Sequence, residues 1–369
     1  MQQTVHDLDT PSLIVDLDIM ERNLHKYHEY GRQHNLQLWP HTKTHKTPEL
    51  AKLQMKYGAP GVTCAKIGEA EVMAANGVGR ILVAYPVVGP QKMDRLIALA
   101  KKIDLTVALD SFESAERISG PAEKAGIKIK VLLEFNVGMN RVGLETPQEV
   151  VDVGKQIMAL HGIDLVGLTC YPGNVWVPPA QMPGEMKKMD ATVHERVDAA
   201  RKAGLPTSRV SGGSTPTALW SHLVRDFTEI RPGQYIFHDI NEVCLGIATY
   251  DMCALRVLAT VCSTSVTNRI IIDGGSKTFS SDRLLNPPEG VPPGFGHIVE
   301  YPDLWFEKMS EEHGHIDSST SAKKPRVGER VTIIPNHVCP CVNMHDVMYG
   351  HRSGKIEAVW KIQARGKVQ

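Results

Sequence analysis

The stretch RILVAYPVVGPQKMDRLIALAKKIDLTVALD, residues 80–110, decides the fold class. It opens on a β-branched apolar run (RILVAYP, 80–86) and closes on a second one (LTVALD, 105–110), with a segment of helical length between them. Strands joined in this way pair in parallel, because only a long right-handed crossover returns the chain to run alongside itself in the same direction. The unit recurs on both sides. Before it stand LIVD at 13–16, LQLWP at 36–40 and GVTCA at 61–65; after it come IKVLLEFNVG at 129–138, IDLVGLTCYPG at 163–173 and SRVSGG at 208–213. Amphipathic segments such as MERNLHKYHEYGRQH, PELAKLQMKYG, EAEVMAANG and ESAERISGPAEKAG separate the runs, and several close on the glycine that often ends a helix. About eight such units predict a closed parallel (β/α)8 barrel, TIM-like, over residues 12–238, with an open doubly wound sheet as the alternative. No GxGxxG or GxxxxGKS follows a run, so dinucleotide and P-loop chemistry have no support.

After about residue 240 the texture changes. Helical periodicity gives way to short β-runs: ALRVLATVCSTSV, RIIIDGGS, RVTIIPNHVC and AVWKIQARG. These predict a second, antiparallel β-rich domain over 239–369, joined in space by residues 1–11. The Pro/Gly-rich stretch LNPPEGVPPGFGH (285–297) reads as a loop. Two domains also suit a chain of 369 residues.

Composition bounds the function. Hydrophobic residues make up 42% and charged residues 22% of the chain, and 41 basic residues balance 41 acidic ones. A nucleic-acid or anionic-membrane partner would usually leave a basic excess, so a small-molecule substrate is the expectation, with no nucleic acid and no membrane. The N-terminus lacks a signal-peptide layout, and no apolar run approaches the roughly 20 residues of a membrane span. Of seven cysteines, Cys64, Cys170, Cys244, Cys253 and Cys262 stand singly in apolar stretches and read as small buried hydrophobes in a reducing, cytoplasmic setting.

Four segments carry chemistry. WPHTKTHK, residues 39–46, follows the LQLWP run and so stands at the C-terminal end of a barrel strand, where barrel active sites are assembled. In an extended chain His41, Lys43 and His45 share one face, with Thr42 and Thr44 on the other. A lysine flanked by two imidazoles has its ammonium disfavoured, as a Schiff-base lysine needs; a solvated polar turn would look the same. SGGSTPT, 211–217, offers backbone amides and hydroxyls suited to a phosphate, or simply a glycine-serine turn. NVGMNRVG, 136–143, places Arg141 in a glycine-framed loop where it could meet an anionic oxygen or only solvent. In IPNHVCPC, 334–341, a strand would set His337 and Cys339 on one face as a zinc-type ligand pair, with Cys341 as a further candidate; buried strand cysteines are the plainer reading.

Taken in order, the motifs DTP (9–11), PHxKxHK (40–46), VGxxRxG (137–143), YxG (171–173), GGST (212–215), RPGxY (231–235), PNHxC (335–339) and a terminal ARG (364–366) resemble the fold-type III pyridoxal-phosphate enzymes. Within them the chain is most similar to the D-threonine aldolase and D-serine dehydratase family, over essentially its whole length. The resemblance implies an alanine-racemase-like architecture, pyridoxal phosphate on Lys43, and His41 beside it in the same motif. It implies Arg141 near the ring oxygen, Tyr171 flanking the cofactor, and Gly212, Gly213, Ser214 and Thr215 around its phosphate. Gly233, Gln234 and Tyr235 match a loop that approaches the cofactor, with Arg231 on the pyridine side. His337 and Cys339 match a site for a divalent metal (Mn, Zn or Mg). A homodimer is implied as well, with each active site between the barrel of one subunit and the β-domain of the other.

The implied activity is D-threonine aldolase-type cleavage of D-β-hydroxy-α-amino acids to glycine and an aldehyde. D-serine or D-3-hydroxyaspartate dehydration to a 2-oxo acid is the runner-up, and an amino-acid racemase comes third. The His-x-Cys pair resembles the dehydratases, whereas many of the aldolases carry His-x-Asp. After Tyr171 the chain reads PGNVWV (172–177), where the familiar aldolases have His-Gly and another histidine. Val177 cannot act as a base, so that role passes to water on the metal or to another residue, His313 of SEEHG or His345.

Overall fold

The computed structural model describes residues 3–285, 287, 289 and 293–369. It opens on β1 (Ser12–Asp16) and α1 (Leu17–Gln33). Strands and helices then alternate: β2 (Gln37–Leu38), α2 (Pro48–Lys56), β3 (Val62–Cys64), α3 (Ile67–Ala75), β4 (Arg80–Val83), α4 (Pro90–Ala100) and β5 (Asp104–Leu109). The series continues through α5 (Phe112–Lys124), β6 (Ile129–Glu134), α6 (Pro147–Met158), β7 (Ile163–Thr169), α7 (Met182–Lys202), β8 (Val210–Gly212) and β9 (Glu229–Ile230). Strands β2 to β9 form one parallel sheet in the order β2-β9-β8-β7-β6-β5-β4-β3, and a parallel bridge from His41 to Thr63 joins its two edges. This is the expected (β/α)8 barrel.

Local chemistry starts its helices where the sequence puts the signals. The Ser111 hydroxyl caps α5 by accepting from Ser114 N, and Thr146 with Glu149 forms a capping box ahead of Pro147 at the start of α6. Inside the barrel, Trp39 packs with Leu82 and Leu132. The Arg209 guanidinium lies 4.4 Å from the Trp39 ring and pairs with the buried carboxylate of Glu229 at 2.7 Å.

One glycine shapes the sheet. The β6–β7 register shifts between Val131 and Leu132, opposite a bulge at Val166 and Gly167. Gly167 has φ +156°, and a Cβ there would sit 2.1 Å from the carbonyl oxygen of Arg209. Gly167→Ala is therefore expected to destabilise the protein by about 2–4 kcal/mol, from overpacking plus backbone strain. A thermal melt reads this; an unchanged melting temperature would show that the bulge yields freely.

The second unit begins with α8 (Ile240–Leu245), β10 (Leu255–Ser263), β11 (Arg269–Ile272), α9 (Ser276–Phe279) and β12 (Gly296–Ile298). It goes on with β13 (Trp305–Met309), β14 (Gly314–Asp317), β15 (Arg330–Pro335), α10 (Val338–Asn343), β16 (Val347–Arg352) and β17 (Lys355–Lys361). Its sheet runs β13-β14-β11-β10-β1-β16-β17, with β15 pairing β10 and β12. All pairings are antiparallel except β1 with β16. The described residues divide into this unit (3–24, 44–47 and 234–365) and the barrel unit (25–43, 48–233 and 366–369).

Three expectations change. The LIVD run at 13–16 is β1 of the antiparallel sheet and not the first barrel strand: it is central there, so its three middle residues are all buried, as in a barrel strand. The vacant barrel place is taken by the two-residue β9. The loop expected over 285–297 falls partly outside the described residues (286, 288, 290–292), and Gly296 and His297 open β12. Of the five single cysteines, Cys64, Cys170 and Cys253 are buried, but Cys244 is half-buried and Cys262 exposed on β10. Among the described residues no helix is long and apolar enough to cross a membrane.

Candidate active site

The strands of the parallel sheet other than β8 deliver residues to one cavity at their C-terminal ends. Behind β2, residues 42–44 form a single 3-10 turn in place of the expected extended segment. Side-chain hydrogen bonds drive this: Thr42 Oγ1 donates to Glu69 Oε1 at 2.5 Å and lies 3.1 Å from Thr63 O, and Thr47 Oγ1 donates to His45 O at 2.7 Å. The three alternate residues consequently part company. His41 and Lys43 line a cavity in the barrel unit, whereas His45 is fully buried and accepts from Thr47 N at 3.1 Å. The lysine is not flanked by two imidazoles; only His41, whose Nδ1 accepts from Lys43 N at 3.4 Å, stays with it.

This cavity, about 360 Å³, is walled by the strand ends: Ala65 and Lys66 after β3, Tyr85 after β4, Glu134 ending β6, Thr169 and Tyr171 at β7, and Arg231 after β9. Arg141 closes it from the loop behind β6. Lys43 Nζ lies 6.0 Å from the centre of the Tyr171 ring, and the Arg141 guanidinium lies over the same ring at 4.7 Å. The structure thus brings together Lys43, His41, Tyr171 and Arg141.

At the floor, Arg231 is a buried fixed cation. It donates through Nη1 to Ser211 Oγ and, at 2.9 Å, to Thr169 Oγ1, and through Nη2 to the Cys170 carbonyl at 2.7 Å. Burial depresses its pKa, and the nearby Glu134 works against that depression. Burial in turn pushes the Glu134 carboxyl up, opposed by Arg231 and Arg141. Glu134 was not singled out from sequence, although a charged residue ending an apolar strand run is a readable signal. Lys66 was missed too; its ammonium rests on the half-exposed Tyr85 ring at 3.6 Å.

The turn 212–215 follows β8 and does not line the cavity. Gly212 O accepts from Arg231 N at 3.1 Å, so the turn stands next to the strand that carries the floor cation. Gly213 sits at φ +75°, a left-handed conformation that glycine adopts without strain. Ser214 N donates to Thr217 Oγ1 at 3.0 Å, and Thr215 Oγ1 accepts from Gly233 N at 3.1 Å, which ties the turn to the RPGQY segment. Gln234 and Tyr235 belong to the antiparallel unit: Gln234 Nε2 donates to Asp239 Oδ2 at 2.8 Å, and Tyr235 is fully buried.

His337 and Cys339 are not on a strand. β15 ends at Pro335, His337 is the N-cap of α10, and Cys339 lies in its first turn. Val338 N, one of the donors a helix start leaves open, is satisfied by Asp239 Oδ2 at 3.1 Å. His337 Nδ1 is held by Asp282 Oδ2 at 2.7 Å, and the His337 side chain is also hydrogen-bonded to Cys339. Burial opposes protonation of this imidazole, but Cys339, Asp239 and Asp282 together raise its pKa to about 10. Cys339 Sγ lies 3.3 Å from Thr44 Oγ1. Helical geometry turns Cys341 to another partner: it is fully buried and donates to Thr278 O at 3.3 Å. His345 Nε2 donates to the same carbonyl at 3.1 Å.

Among the described residues no group of three or more His, Cys, Asp or Glu side chains converges as metal ligands. The chain offers two donors, His337 and Cys339, with a carboxylate orienting the imidazole, an arrangement common behind metal-bound histidines. His313 lies exposed in the turn between β13 and β14, in a different unit from Lys43.

Comparison with known proteins follows the same division of the chain. The model of the alanine racemase N-terminal domain matches residues 15–240, and that of a serine dehydratase domain matches residues 254–351. A D-threonine aldolase from Arthrobacter sp. is 32% identical over 365 residues, covering 97% of this chain and 93% of that protein. A D-threo-3-hydroxyaspartate dehydratase from Delftia sp. (strain HT23) is 30% identical over 359 residues, covering 92% and 93%. The crystal structure of D-threonine aldolase from Filomicrobium marinum superposes with a TM-score of 0.92 at 31% identity, covering 100% of this chain and 99% of that one.

Proposed function

The chain belongs to the alanine-racemase-type barrel family that holds D-threonine aldolase and D-threo-3-hydroxyaspartate dehydratase, and from that premise we propose a pyridoxal-phosphate-dependent lyase of the D-threonine aldolase type. It cleaves D-β-hydroxy-α-amino acids to glycine and an aldehyde. The observation that carries this reading is the convergence of Lys43, Tyr171 and Arg141 in one cavity at the C-terminal ends of the barrel strands, floored by the buried cation of Arg231.

The residues present fit the cofactor. Lys43 would hold it covalently, Arg141 would face its ring oxygen, Tyr171 would flank the ring, and 212–215 would take its phosphate. When bound, the cofactor supplies an electron sink for the pair left on Cα as a bond there breaks. The enclosure of Arg231 by Thr169, Ser211 and the Cys170 carbonyl fixes the cation, so little reorganisation is needed during reaction. His337 and Cys339 would hold a divalent ion, whose contribution there is Lewis acidity toward the substrate hydroxyl. Asp282 holds the imidazole in one orientation.

For cleavage at Cβ, a base must take the β-hydroxyl proton. Val177 has no titratable group, and His345 is bound to the Thr278 carbonyl. His313, exposed in a hairpin turn, is the remaining imidazole from the sequence reading. A homodimer is part of the same proposal, resting on the family resemblance, with His313 exposed and open to a second copy of the chain. The enzyme is further proposed to be cytoplasmic, consistent with buried single cysteines such as Cys64 and Cys170.

Dehydration is the second reading, favoured by one observation: the proposed metal pair is His-x-Cys, and a D-threo-3-hydroxyaspartate dehydratase with a cysteine-to-alanine change, 27% identical to this chain, has been solved in a metal-free form. Incubating the protein with D-threonine, pyridoxal phosphate and a divalent metal, then assaying acetaldehyde and 2-oxobutanoate together, separates the two. Acetaldehyde with glycine is the expected result. 2-Oxobutanoate alone would overturn the aldolase in favour of the dehydratase.

A further inference from the structure

Thr44 is fully buried, follows Lys43 directly in the chain, and has Cys339 Sγ 3.3 Å from its hydroxyl oxygen. A buried hydroxyl is rarely left without a partner, and this is the contact the structure gives it. The two hydroxyls around the lysine do different things. Thr42 Oγ1 is turned to the Glu69 carboxylate and the Thr63 carbonyl in the barrel unit, while Thr44 belongs to the antiparallel unit and faces the thiol. The contact is also selective among thiols, since Cys341, two residues on, donates to the Thr278 carbonyl instead.

A hydroxyl can reverse its role. Against a thiol it accepts, and against a thiolate it donates. A cysteine that ligates a metal is deprotonated outright, so at the loaded site the Thr44 O–H has one available function. We propose that Thr44 is a positioning residue for the metal centre: its hydroxyl donates to the Cys339 thiolate, fixing the sulfur's direction and moderating its electron donation to a divalent cation. The inference rests on the reading of His337 and Cys339 as metal ligands. Of the two residues that would hold the ion, His337 has its outer partner in Asp282. Thr44 gives the sulfur the corresponding outer partner, so each protein donor is oriented by a separate hydrogen bond. Because Thr44 is the residue after Lys43, the same short turn then carries both the cofactor's lysine and a support of the metal ligand.

Co²⁺ titrated into the chelator-treated, cofactor-containing protein tests this, because a cobalt–thiolate bond has its own charge-transfer absorption. Wild type should show that band. Thr44→Val should bind Co²⁺ about 10–100-fold more weakly, the usual effect of losing an outer partner. Its band should move to longer wavelength, because a thiolate without a donor gives up its electrons more easily. Thr44→Ser should restore both values. Thr44→Ala, which removes the hydroxyl without adding bulk, should repeat the valine result and serves if the valine variant does not fold. An unchanged band and affinity in Thr44→Val or Thr44→Ala would overturn the role of Thr44 while leaving the metal site standing. Absence of a thiolate band in wild type would overturn the metal reading, and this inference with it.

Discussion

Lys43→Ala should abolish the visible absorption of the bound cofactor and lower turnover by about three orders of magnitude or more, ~4 kcal/mol of transition-state stabilisation. Two lysines line the cavity, Lys43 and Lys66. Lys46, the nearest in sequence, is buried in the antiparallel unit and does not line it. The geometry separates the two candidates. Lys43 shares the Tyr171 ring with Arg141, so an amine, an aromatic face and a guanidinium meet around one space. Lys66 instead rests on Tyr85, half-exposed at the rim. Lys66→Ala is therefore the control: it should keep the absorption band. If Lys66→Ala lost the band and Lys43→Ala retained it, the covalent role would move to Lys66. Unchanged melting temperatures are needed in both variants, since Lys43 is the middle residue of a turn held by Thr42 and its partners.

The barrel was legible because its strands are buried on both faces and its helices are amphipathic, so the alternation survives in a single sequence. The same property misassigned β1. A central strand of an antiparallel sheet, buried on both faces, carries the same unbroken apolar run as a barrel strand. β9 was invisible for the opposite reason: two residues, Glu229 and Ile230, leave no periodicity to read. At the site, the residue types were right where the assumed backbone was wrong. His41, Lys43 and His45 were read as one face of a strand, but side-chain hydrogen bonds by threonines fold the segment into a 3-10 turn and send His45 away. His337 and Cys339 come together across a helix N-cap rather than along a strand. Asp282, 55 positions from His337, carried no local signal at all, since only the tertiary fold makes it the partner of that imidazole.

Exhaustive chelation should remove turnover while the cofactor's absorption remains, and His337→Ala should do the same without a chelator. The two losses separate because the proposed ligands and the proposed cofactor lysine are different residues with different local supports. His337 and Cys339 are placed by the start of α10, which Asp239 holds through Val338 N, whereas Lys43 is placed by the turn after β2. The expected fall is roughly 10²–10³-fold, or ~3–4 kcal/mol, the scale on which a Lewis acid stabilises charge developing on an oxygen. Asp282→Asn should cost less, about 10–100-fold, and chiefly as weaker metal affinity, because the amide can still hydrogen-bond the imidazole but no longer supplies its charge. Re-addition of a divalent ion should restore the chelated wild type and leave His337→Ala inactive. If turnover survived both chelation and His337→Ala, the imidazole–thiolate pair would be a structural feature of the α10 start, held by Asp282 and Thr44. The substrate hydroxyl would then have to be activated by protein groups alone, with the exposed His313 the first to replace.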